Sequence, residues 1–394
     1  MYSLLAVICL LVFLFSLVAK RAERSMFTGP ILFLLAGMLL GEAGAGWVSP
    51  QITPDVLRVL ADITLALLLF ADGAHSDRAS LRDHAQLPVR MLAIGIPGSI
   101  LLGVAVGIVL LPAFDLWQLA IMATALAATD AALGKSVVSD PRVPTYIRST
   151  LNVESGLNDG LCVPILLVFI ALSQSHHGDE PGMIALALTA QEIGIGLLVG
   201  LTVAGLGFQL IALAKARGFI NSLWKRVPTV MLALLCFALT QSLHGSGYIA
   251  AFSGGLLFGH LARQRVHHMV VDAEGIGEVL GLTTWFLFGA AVVPIVSQRL
   301  SWDVVAYALC CLTFVRMVPA LVSLIGSGVS MKHALFMAWF GPRGLASIVF
   351  AIIILHEQVK EGDDIAVIIA CTIFLSVILH GLSAAPLAHR FTKS

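Results

Sequence analysis

The stretch LNVESGLNDG occupies residues 151–160, near the start of a long apolar segment. Its carboxylates, amides and hydroxyl are costly at membrane depth, which predicts a functional role for them. At 100° per residue, Ser155 and Asp159 share one face of a helix, and Glu154 and Asn158 share a neighbouring face. This spacing predicts that Ser155 and Asp159 offer oxygen ligands to a small cation, while Glu154 pairs with a cation such as Arg316. The alternative is a buried polar network that only fixes helix packing.

The composition of the whole chain is that of a polytopic membrane protein. Of its 394 residues, 58% are apolar and only 12% are charged, and the mean hydropathy is +0.96. A soluble domain carries about a quarter charged residues, and disordered chains are poor in apolar residues. The formal net charge of zero gives no support for nucleic-acid binding, and without a Walker loop ATP-driven pumping has no basis. The six cysteines lie in apolar segments without metal-ligand spacing, so neither a cofactor nor a resident metal is predicted.

Charge clusters and helix-breaking residues divide the chain into thirteen predicted spans. They cover residues 2–19, 28–45, 55–72, 91–113, 116–134, 150–173, 191–214, 228–243, 246–262, 276–296, 304–325, 333–355 and 363–388. Among the 23 Lys and Arg residues, only Arg299 and Lys360 lie in loops after even-numbered spans. Arg58 lies just inside the third span, Arg316 and Arg343 lie within spans, and the other cations lie in loops after odd-numbered spans or in the tail. The thirteen apolar spans predict an all-α membrane protein. From the distribution of Lys and Arg, the positive-inside rule predicts that its N-terminus lies outside and its C-terminus in the cytoplasm.

The fifth and twelfth spans carry further polar residues. Thr129 and Asp130 add a hydroxyl and a carboxylate to the fifth span, whose alanines are good helix formers and give no local sign of a break. In the twelfth span, the sequence GPRG (341–344) predicts a break, because Pro removes a backbone hydrogen bond and Gly permits unwinding. Arg343 is suited to neutralise the negative end of a half-helix. The alternative is a kinked helix whose Arg343 extends to the membrane interface.

Spans 4–6 and 11–13 form two triplets of opposite topology, because an odd number of spans separates them. The middle span of the first triplet carries the buried Thr-Asp pair and that of the second is interrupted. This pattern indicates an inverted-repeat transporter with its ion site near the midplane. Asp62, Asp72 and Glu278 also lie within spans, although their positions near span ends or beside polar residues leave a solvated role open.

Several segments resemble the monovalent cation:proton antiporters, in the branch that contains the prokaryotic NhaP-type antiporters and the Na+/H+ exchangers. They are FTGPILFLLAGMLLG (27–41), LLLFADGAHSD (67–77), ATDAALGKSVVSDPRVP (128–144), LNVESGLNDG (151–160), GSGYIAAFSGG (245–255), WFLFGA (285–290), RMVP (316–319), GPRGLASIVFA (341–351) and LHGLSAAPL (379–387). The resemblance covers nearly the whole chain, and ESGLNDG and GPRG are its most specific parts. In two departures, Ala131 replaces the Pro of the family's Thr-Asp-Pro, and Ala71 follows Phe70 where many relatives have an acid.

The resemblance implies a 13-helix homodimer in which a core domain moves against a scaffold in an elevator-like cycle. Residues 1–72 and 191–296 would supply the scaffold and dimerisation helices, and residues 91–173 and 304–388 the ion-transporting core. The implied cation and proton site consists of Asp159, Ser155, Thr129, Asn158 and Asp130.

Within that implied site, Asp159 binds a proton or Na+, and Thr129 and Ser155 lie beside the cation. The resemblance also implies a structural ion pair between Glu154 and Arg316. It further implies that the fifth and twelfth helices cross, where Asp130 and Arg343 compensate their half-helix ends. An Asn rather than a second Asp at position 158 resembles the electroneutral members.

These observations predict a secondary antiporter, not an enzyme, in which Na+ or Li+ competes with a proton for Asp159. A K+/H+ antiporter of the same fold is the nearest alternative, and a cation channel and a non-transporting membrane sensor are alternatives from other classes. The predicted location is a prokaryotic plasma membrane. The predicted partners are monovalent cations, protons, lipid and a second copy of the chain.

Overall fold

The computed structural model is helical throughout its regular secondary structure. It describes residues 2–22, 28–41, 44–47, 54–75, 86–130, 133, 137, 140, 142–174, 181–221, 224–263, 266–292, 296, 298–389 and 391. The helices are α1 (Tyr2–Ala22), α2 (Gly29–Leu40), α3 (Pro54–His75), α4 (Gln86–Leu110), α5 (Leu116–Ala125), α6 (Thr145–Gln174), α7 (Pro181–Ala216), α8 (Val227–Ser242), α9 (Gly247–Ala262), α10 (Val266–Leu287), α11 (Trp302–Leu324), α12 (Met331–Trp339), α13 (Leu345–His356) and α14 (Gly362–Ala388). Single π-helical turns lie within α4 and α11 and directly after α10.

Every predicted span overlaps at least one of these helices. In the described part of the chain, seven helical segments are long and apolar enough to cross a bilayer: α1, α4, α6, α11, α14, Thr189–Ala216 and His268–Val292. Shorter apolar helices are α2, α5, α8, α9 and α13. The protein is therefore an all-helical polytopic membrane protein. The number of crossings, the inverted repeats and the orientation in the membrane stay predictions.

In the described residues, the fifth and twelfth predicted spans are interrupted away from their ends. The twelfth is interrupted at residues 340–344, here called the α12–α13 break, as the GPRG sequence predicts. The fifth leaves the helix after Ala125, within the span predicted over 116–134, at a place where the local sequence gives no sign of a break. Residues 126–130, here called the α5 link, are not helical. The helix propensity of alanine is worth less than about 1 kcal/mol per residue, and the hydrogen bonds of the α5 link outweigh it.

By their contacts, the helices fall into two compact units. The first comprises Met1–Arg58, His84–Asn158 and Gly281–Ser394, and the second comprises Val59–Asp83 and Asp159–Leu280. The division into scaffold and transporting core is a functional one, and it stays a prediction.

One apolar core in the first unit gathers side chains from α4, α6, α11, α12 and α14. Its buried members include Met91, Ile147, Leu324, Met337 and Ala388. Around it, α5 packs on α4, and α13 packs on α14. This packing holds the end of α5 and both sides of the α12–α13 break in the same unit.

In the second unit, α7, α8 and α9 pack on one another, and small residues bring α7 and α9 close together. Gly200 of α7 lies against the backbone of α9, where an added Cβ would fall 2.6 Å from the Cα of Ala250. In a bilayer, no hydrophobic effect drives helices together, because lipid tails are as apolar as the side chains. Helices therefore associate through van der Waals contacts, and small residues allow the close approach that these contacts need.

Gly200→Ala is expected to lower the free energy of unfolding by about 1–3 kcal/mol, because the new methyl group overlaps the α9 backbone. Gly194→Ala, on the same helix, is the matched control, since a Cβ there meets no described atom within 4 Å. Thermal denaturation of the detergent-solubilised protein measures both variants. Equal midpoints would contradict the close packing of α7 on α9.

Candidate functional site

α5 begins at a strong cap and ends abruptly. The Asp115 Oδ1 atom accepts the backbone N–H groups of Trp117 and Gln118 at 2.9 and 3.0 Å, and the Gln118 side chain accepts from the Asp115 backbone. After Ala125 the chain leaves the helix, and side chains of other elements donate to the carbonyls of Ala125, Ala127, Ala128 and Thr129. The candidate site is built around these carbonyls.

The α5 link and the α12–α13 break exchange hydrogen bonds. The Asp130 backbone N–H donates to the Pro342 carbonyl at 2.7 Å. In return, the Asp130 carboxylate accepts the N–H of Leu345, the first residue of α13, at 2.7 Å, and its other oxygen accepts the N–H of Leu133 at 3.1 Å. The carboxylate therefore caps the N-terminus of α13, where the helix dipole is positive.

Arg343 compensates the opposite, carbonyl end of α5. Its Nη1 atom donates to the carbonyls of Ala127 and Ala128 at 2.6 and 3.1 Å, and its side chain is 1% exposed. The Ser347 hydroxyl of α13 donates to the Ala125 carbonyl at 2.7 Å. A cation is favourable at the carbonyl end of a helix, so each broken end faces a charge of opposite sign.

α6 presents Ser155 and Asn158 to the α5 link. The Ser155 hydroxyl donates to the Thr129 carbonyl at 2.8 Å. The Asn158 Nδ2 atom lies 3.1 Å from the Ala127 carbonyl, 3.2 Å from the Thr129 hydroxyl and 3.3 Å from the Glu154 carboxylate. Ser155 and Asn158 are buried, and a hydroxyl that donates keeps its oxygen lone pairs.

Glu154 and Arg316 form a buried ion pair with two contacts. Arg316 Nη1 donates to Glu154 Oε1 at 2.8 Å, and Nη2 donates to Oε2 at 3.1 Å. The two side chains are 1% and 3% exposed. Gly341 of the α12–α13 break lies so close to the guanidinium that an added Cβ would overlap it. This geometry suits a pair that stabilises the fold, because each buried charge has its partner.

Asp159 follows Asn158 directly on α6 and belongs to the second unit, where its side chain is half-buried. The other predicted site residues lie in the first unit: Thr129, Asp130, Glu154, Ser155, Asn158, Arg316 and Arg343. Of the remaining acids considered within spans, Asp62 accepts a hydrogen bond from Tyr248 at 2.5 Å, Asp72 is half-buried and Glu278 is exposed.

The predicted Na+ ligands are one carboxylate and two hydroxyls, from Asp159, Ser155 and Thr129. In the described part of the chain, no three His, Cys, Asp or Glu residues are grouped so as to hold a metal ion. A transported cation needs ligands that also release it, and a set dominated by neutral oxygens meets that requirement.

Sequence reasoning misses three buried polar side chains beside the break: Ser347, Ser376 and His380. Ser376 Oγ accepts the backbone N–H of Arg343 at 2.8 Å, and His380 is 3% exposed. Ser376 and His380 are four residues apart, which places both on one helix face, but only the break beside them gives this spacing a meaning.

Comparison with known families decides the classification of the chain. The family described as "Sodium/hydrogen exchanger, transmembrane" matches residues 7–390. The chain belongs to this family. Its members are transporters and not enzymes.

Curated relatives within the family differ in the cation they are named for. The K(+)/H(+) antiporter NhaP of Alkalimonas amylolytica is 26% identical over 389 residues, which cover 95% of this chain and 65% of that protein. The Na(+)/H(+) antiporter 2 of Zygosaccharomyces rouxii is 26% identical over 418 residues, covering 94% of this chain and 51% of that protein. The chain thus spans between half and two thirds of the length of these relatives.

A solved structure has the same fold. The sodium proton antiporter MjNhaP1 from Methanocaldococcus jannaschii superposes with a TM-score of 0.77 at 22% sequence identity. The match covers 96% of this chain and 98% of that one. The likeness extends over the full length of both chains and concerns the fold alone.

Glu154→Gln is expected to lower the free energy of unfolding by about 3–5 kcal/mol, because it leaves the buried Arg316 guanidinium without a charged partner. The double variant Glu154→Gln with Arg316→Met is expected to recover part of this loss, since it removes both charges. Denaturation in detergent measures the change. Asp364→Asn is the control, because its pair with Arg299 is exposed and such pairs contribute at most about 1 kcal/mol. A loss no larger than that of the control would contradict the role of the buried pair.

Asp130→Asn is expected to cost about 1–2 kcal/mol more stability than Asp115→Asn. Both acids cap helices, but Asp130 uses both oxygens, for Leu345 and Leu133, whereas Asp115 uses Oδ1 alone. Asparagine keeps one acceptor oxygen and therefore replaces Asp115 but not Asp130. Thermal denaturation compares the two variants, and similar losses for both would argue against the two-oxygen cap.

Proposed function

We propose that the protein is a secondary active antiporter that exchanges Na+ or Li+ for H+ across the membrane. Membership of the sodium/hydrogen exchanger family supports antiport, and the relatives described above are named cation/proton antiporters. K+ is the second candidate for the cation, because the Alkalimonas relative is named for K+ and the Zygosaccharomyces relative for Na+.

The observation that carries this proposal is the charge balance of the buried site. Glu154 faces Arg316, and Asp130 and Arg343 cap broken helix ends of opposite polarity. These four charges cancel, and Asp159 is the next residue of α6 after Asn158. Because position 158 is an amide and not a second acid, the Asn158-Asp159 pair offers one carboxylate, and a single proton or monovalent cation neutralises it, which supports a one-for-one, electroneutral exchange.

In the proposed mechanism, the proton and the cation compete for Asp159. An empty carboxylate is costly in an apolar environment, so only the protonated or the cation-bound form crosses between the two sides at low cost. Exchange is obligatory for this reason. Thr129 and Ser155 add neutral oxygen ligands to the cation, and the Asn158 amide adds no charge.

The proposed architecture follows the inverted-repeat transporters. α5 and the α12–α13 pair are the interrupted middle members of the two predicted triplets, which supports a shared site near the midplane. We propose thirteen crossings, an outside N-terminus, a cytoplasmic C-terminus and a homodimer in a prokaryotic plasma membrane. Residues 91–173 and 304–388 would move as the core against residues 1–72 and 191–296.

Asp159→Asn is expected to abolish cation-driven proton movement while leaving the protein folded, because the neutral amide cannot exchange a proton for a cation. The assay uses proteoliposomes with a trapped pH dye and pulses of Na+, Li+ or K+, with and without a clamp on the membrane potential. Asp364→Asn is the matched control, an exposed acid changed to its amide.

The measured signal is the change in the fluorescence of the trapped pH dye as protons move in response to the cation, here called dye recovery. Dye recovery that is driven by Na+ or Li+, is unchanged by the clamp and is lost only in Asp159→Asn would support the proposal. Recovery with K+ alone would select the second candidate cation. Undiminished recovery in Asp159→Asn would contradict the role of this carboxylate. A dependence on the clamp would contradict electroneutral exchange. Cation flux without proton movement, in folded protein, would point instead to a channel.

A further inference from the structure

α14 supplies hydrogen-bonding partners to the α12–α13 break and to the end of α12 before it. Within the break, Ser376 Oγ accepts the backbone N–H of Arg343 at 2.8 Å. Before the break, His380 Nε2 lies 3.0 Å from the carbonyl of Trp339, the last residue of α12. The last carbonyls of a helix lack partners within that helix, so the imidazole satisfies one of them.

His380 Nδ1 lies 3.0 Å from the carbonyl of Ser376, which accepts within α14, and 3.2 Å from the Ser376 hydroxyl. With its single hydrogen on Nε2, a neutral imidazole satisfies the contacts that run from Trp339 to Arg343. His380 Nε2–H donates to the Trp339 carbonyl, and Nδ1 accepts the hydroxyl hydrogen of Ser376, whose oxygen lies 3.2 Å away. The Ser376 oxygen is then left to accept the Arg343 N–H. A neutral imidazole with its hydrogen on Nε2 therefore links the end of α12 to Arg343 through α14.

Burial makes this linkage costly to break. Ser376 is 0% exposed and His380 is 3% exposed. The imidazole also packs on the indole of Trp339, with ring centroids 5.1 Å apart, and on the ring of Phe340 at 6.4 Å. A buried polar group that loses its partner pays its full desolvation cost, so these side chains resist rotation away from the break.

The linkage reaches the candidate site through Arg343. Its backbone N–H is held by Ser376, while its guanidinium binds the carbonyls of Ala127 and Ala128 in the α5 link. The Ala127 carbonyl also faces the amide of Asn158. A shift of the Arg343 backbone therefore displaces the carbonyls against which the polar residues of α6 are placed.

We propose that Ser376 and His380 are positioning residues for transport, which hold the α12–α13 break so that Arg343 keeps the α5 link in its cation-binding geometry. This proposal rests on the proposed antiport function. Neither side chain touches the cation in this role, and their effect passes through Arg343.

The experiment compares three substitutions at His380 with Ser376→Ala. His380→Leu removes both hydrogen bonds, His380→Gln keeps a donor near the Nε2 position, and His380→Asn keeps an acceptor near the Nδ1 position. Thr372→Val is the matched control, because Thr372 is a buried residue one turn away on α14 whose hydroxyl donates to its own helix at Ile368.

Two readouts are taken on each variant. Amide hydrogen exchange, followed by mass spectrometry on the whole protein in nanodiscs, reports opening of the α12–α13 break without any reference to activity. The apparent KM for the driving cation in proteoliposomes, normalised to folded protein, reports on the geometry of the site.

His380→Leu and Ser376→Ala are expected to speed exchange across residues 340–344 and to raise the apparent KM, each by about tenfold or more, since one buried hydrogen bond is worth about tenfold and each variant loses two contacts. His380→Gln is expected to restore both values to near the wild type, since it keeps the donor to Trp339. His380→Asn is expected to fall between His380→Gln and His380→Leu, and Thr372→Val to change neither value.

Unchanged hydrogen exchange in His380→Leu and Ser376→Ala would overturn the proposed linkage. Faster exchange with an unchanged KM would overturn the positioning role, since the side chains would then only stabilise the fold. If His380→Leu does not fold, Ser376→Ala and His380→Gln carry the test. If the wild-type protein shows no cation-driven proton movement, the proposed antiport function is wrong. The amide hydrogen-exchange data would still decide whether Ser376 and His380 hold the α12–α13 break.

Discussion

The hydrogen bonds exchanged between Asp130 and the α12–α13 break hold two interrupted helices together at their broken ends. Each interruption leaves backbone groups that water cannot reach, and the partner helix satisfies them: Pro342 and Leu345 pair with Asp130, and Arg343 pairs with carbonyls of the α5 link. Either break alone would leave these buried backbone groups without hydrogen-bond partners, which costs free energy. The rest of the site in the first unit depends on these mutual hydrogen bonds. They fix the position of the carbonyls at the end of α5 and in the α5 link, to which side chains of α6 and α13 donate hydrogen bonds.

Arg343 connects the α12–α13 break to both the α5 link and α14. Its guanidinium reaches α5 carbonyls, its backbone is held from α14, and its neighbours Gly341 and Gly344 leave room for the side chains of Arg316 and Asp130. An added Cβ at Gly341 would overlap the Arg316 guanidinium, and one at Gly344 would overlap the Asp130 carboxylate. The sequence GPRG thus combines a break, a charge and the space that two buried side chains occupy.

Local sequence predicts some of these features and not others, for a physical reason. The break at Pro342 is predictable, since proline and glycine act on the backbone where they stand. The end of α5 is not, because the alanines of that span favour a helix, and the groups that draw the α5 link out of it lie more than 200 residues away. Ser376 and His380 are missed for the same reason, since their polarity makes sense only beside the break. The pairing of Glu154 with Arg316 is suggested by two opposite charges at membrane depth, although sequence fixes neither their distance nor their two-point geometry.

The Asn158 amide has a consequence for how a ligand enters the site. An amide nitrogen carries two hydrogens, yet Asn158 Nδ2 faces three acceptors at 3.1, 3.2 and 3.3 Å, from Ala127, Thr129 and Glu154. One acceptor is therefore always in surplus. Two of the three have an arginine as a further donor, and the third is the Thr129 hydroxyl. If the Thr129 oxygen turns away from Asn158, both hydrogens of the Asn158 amide still have an acceptor, so the network can lose this one contact without leaving a buried donor unpaired.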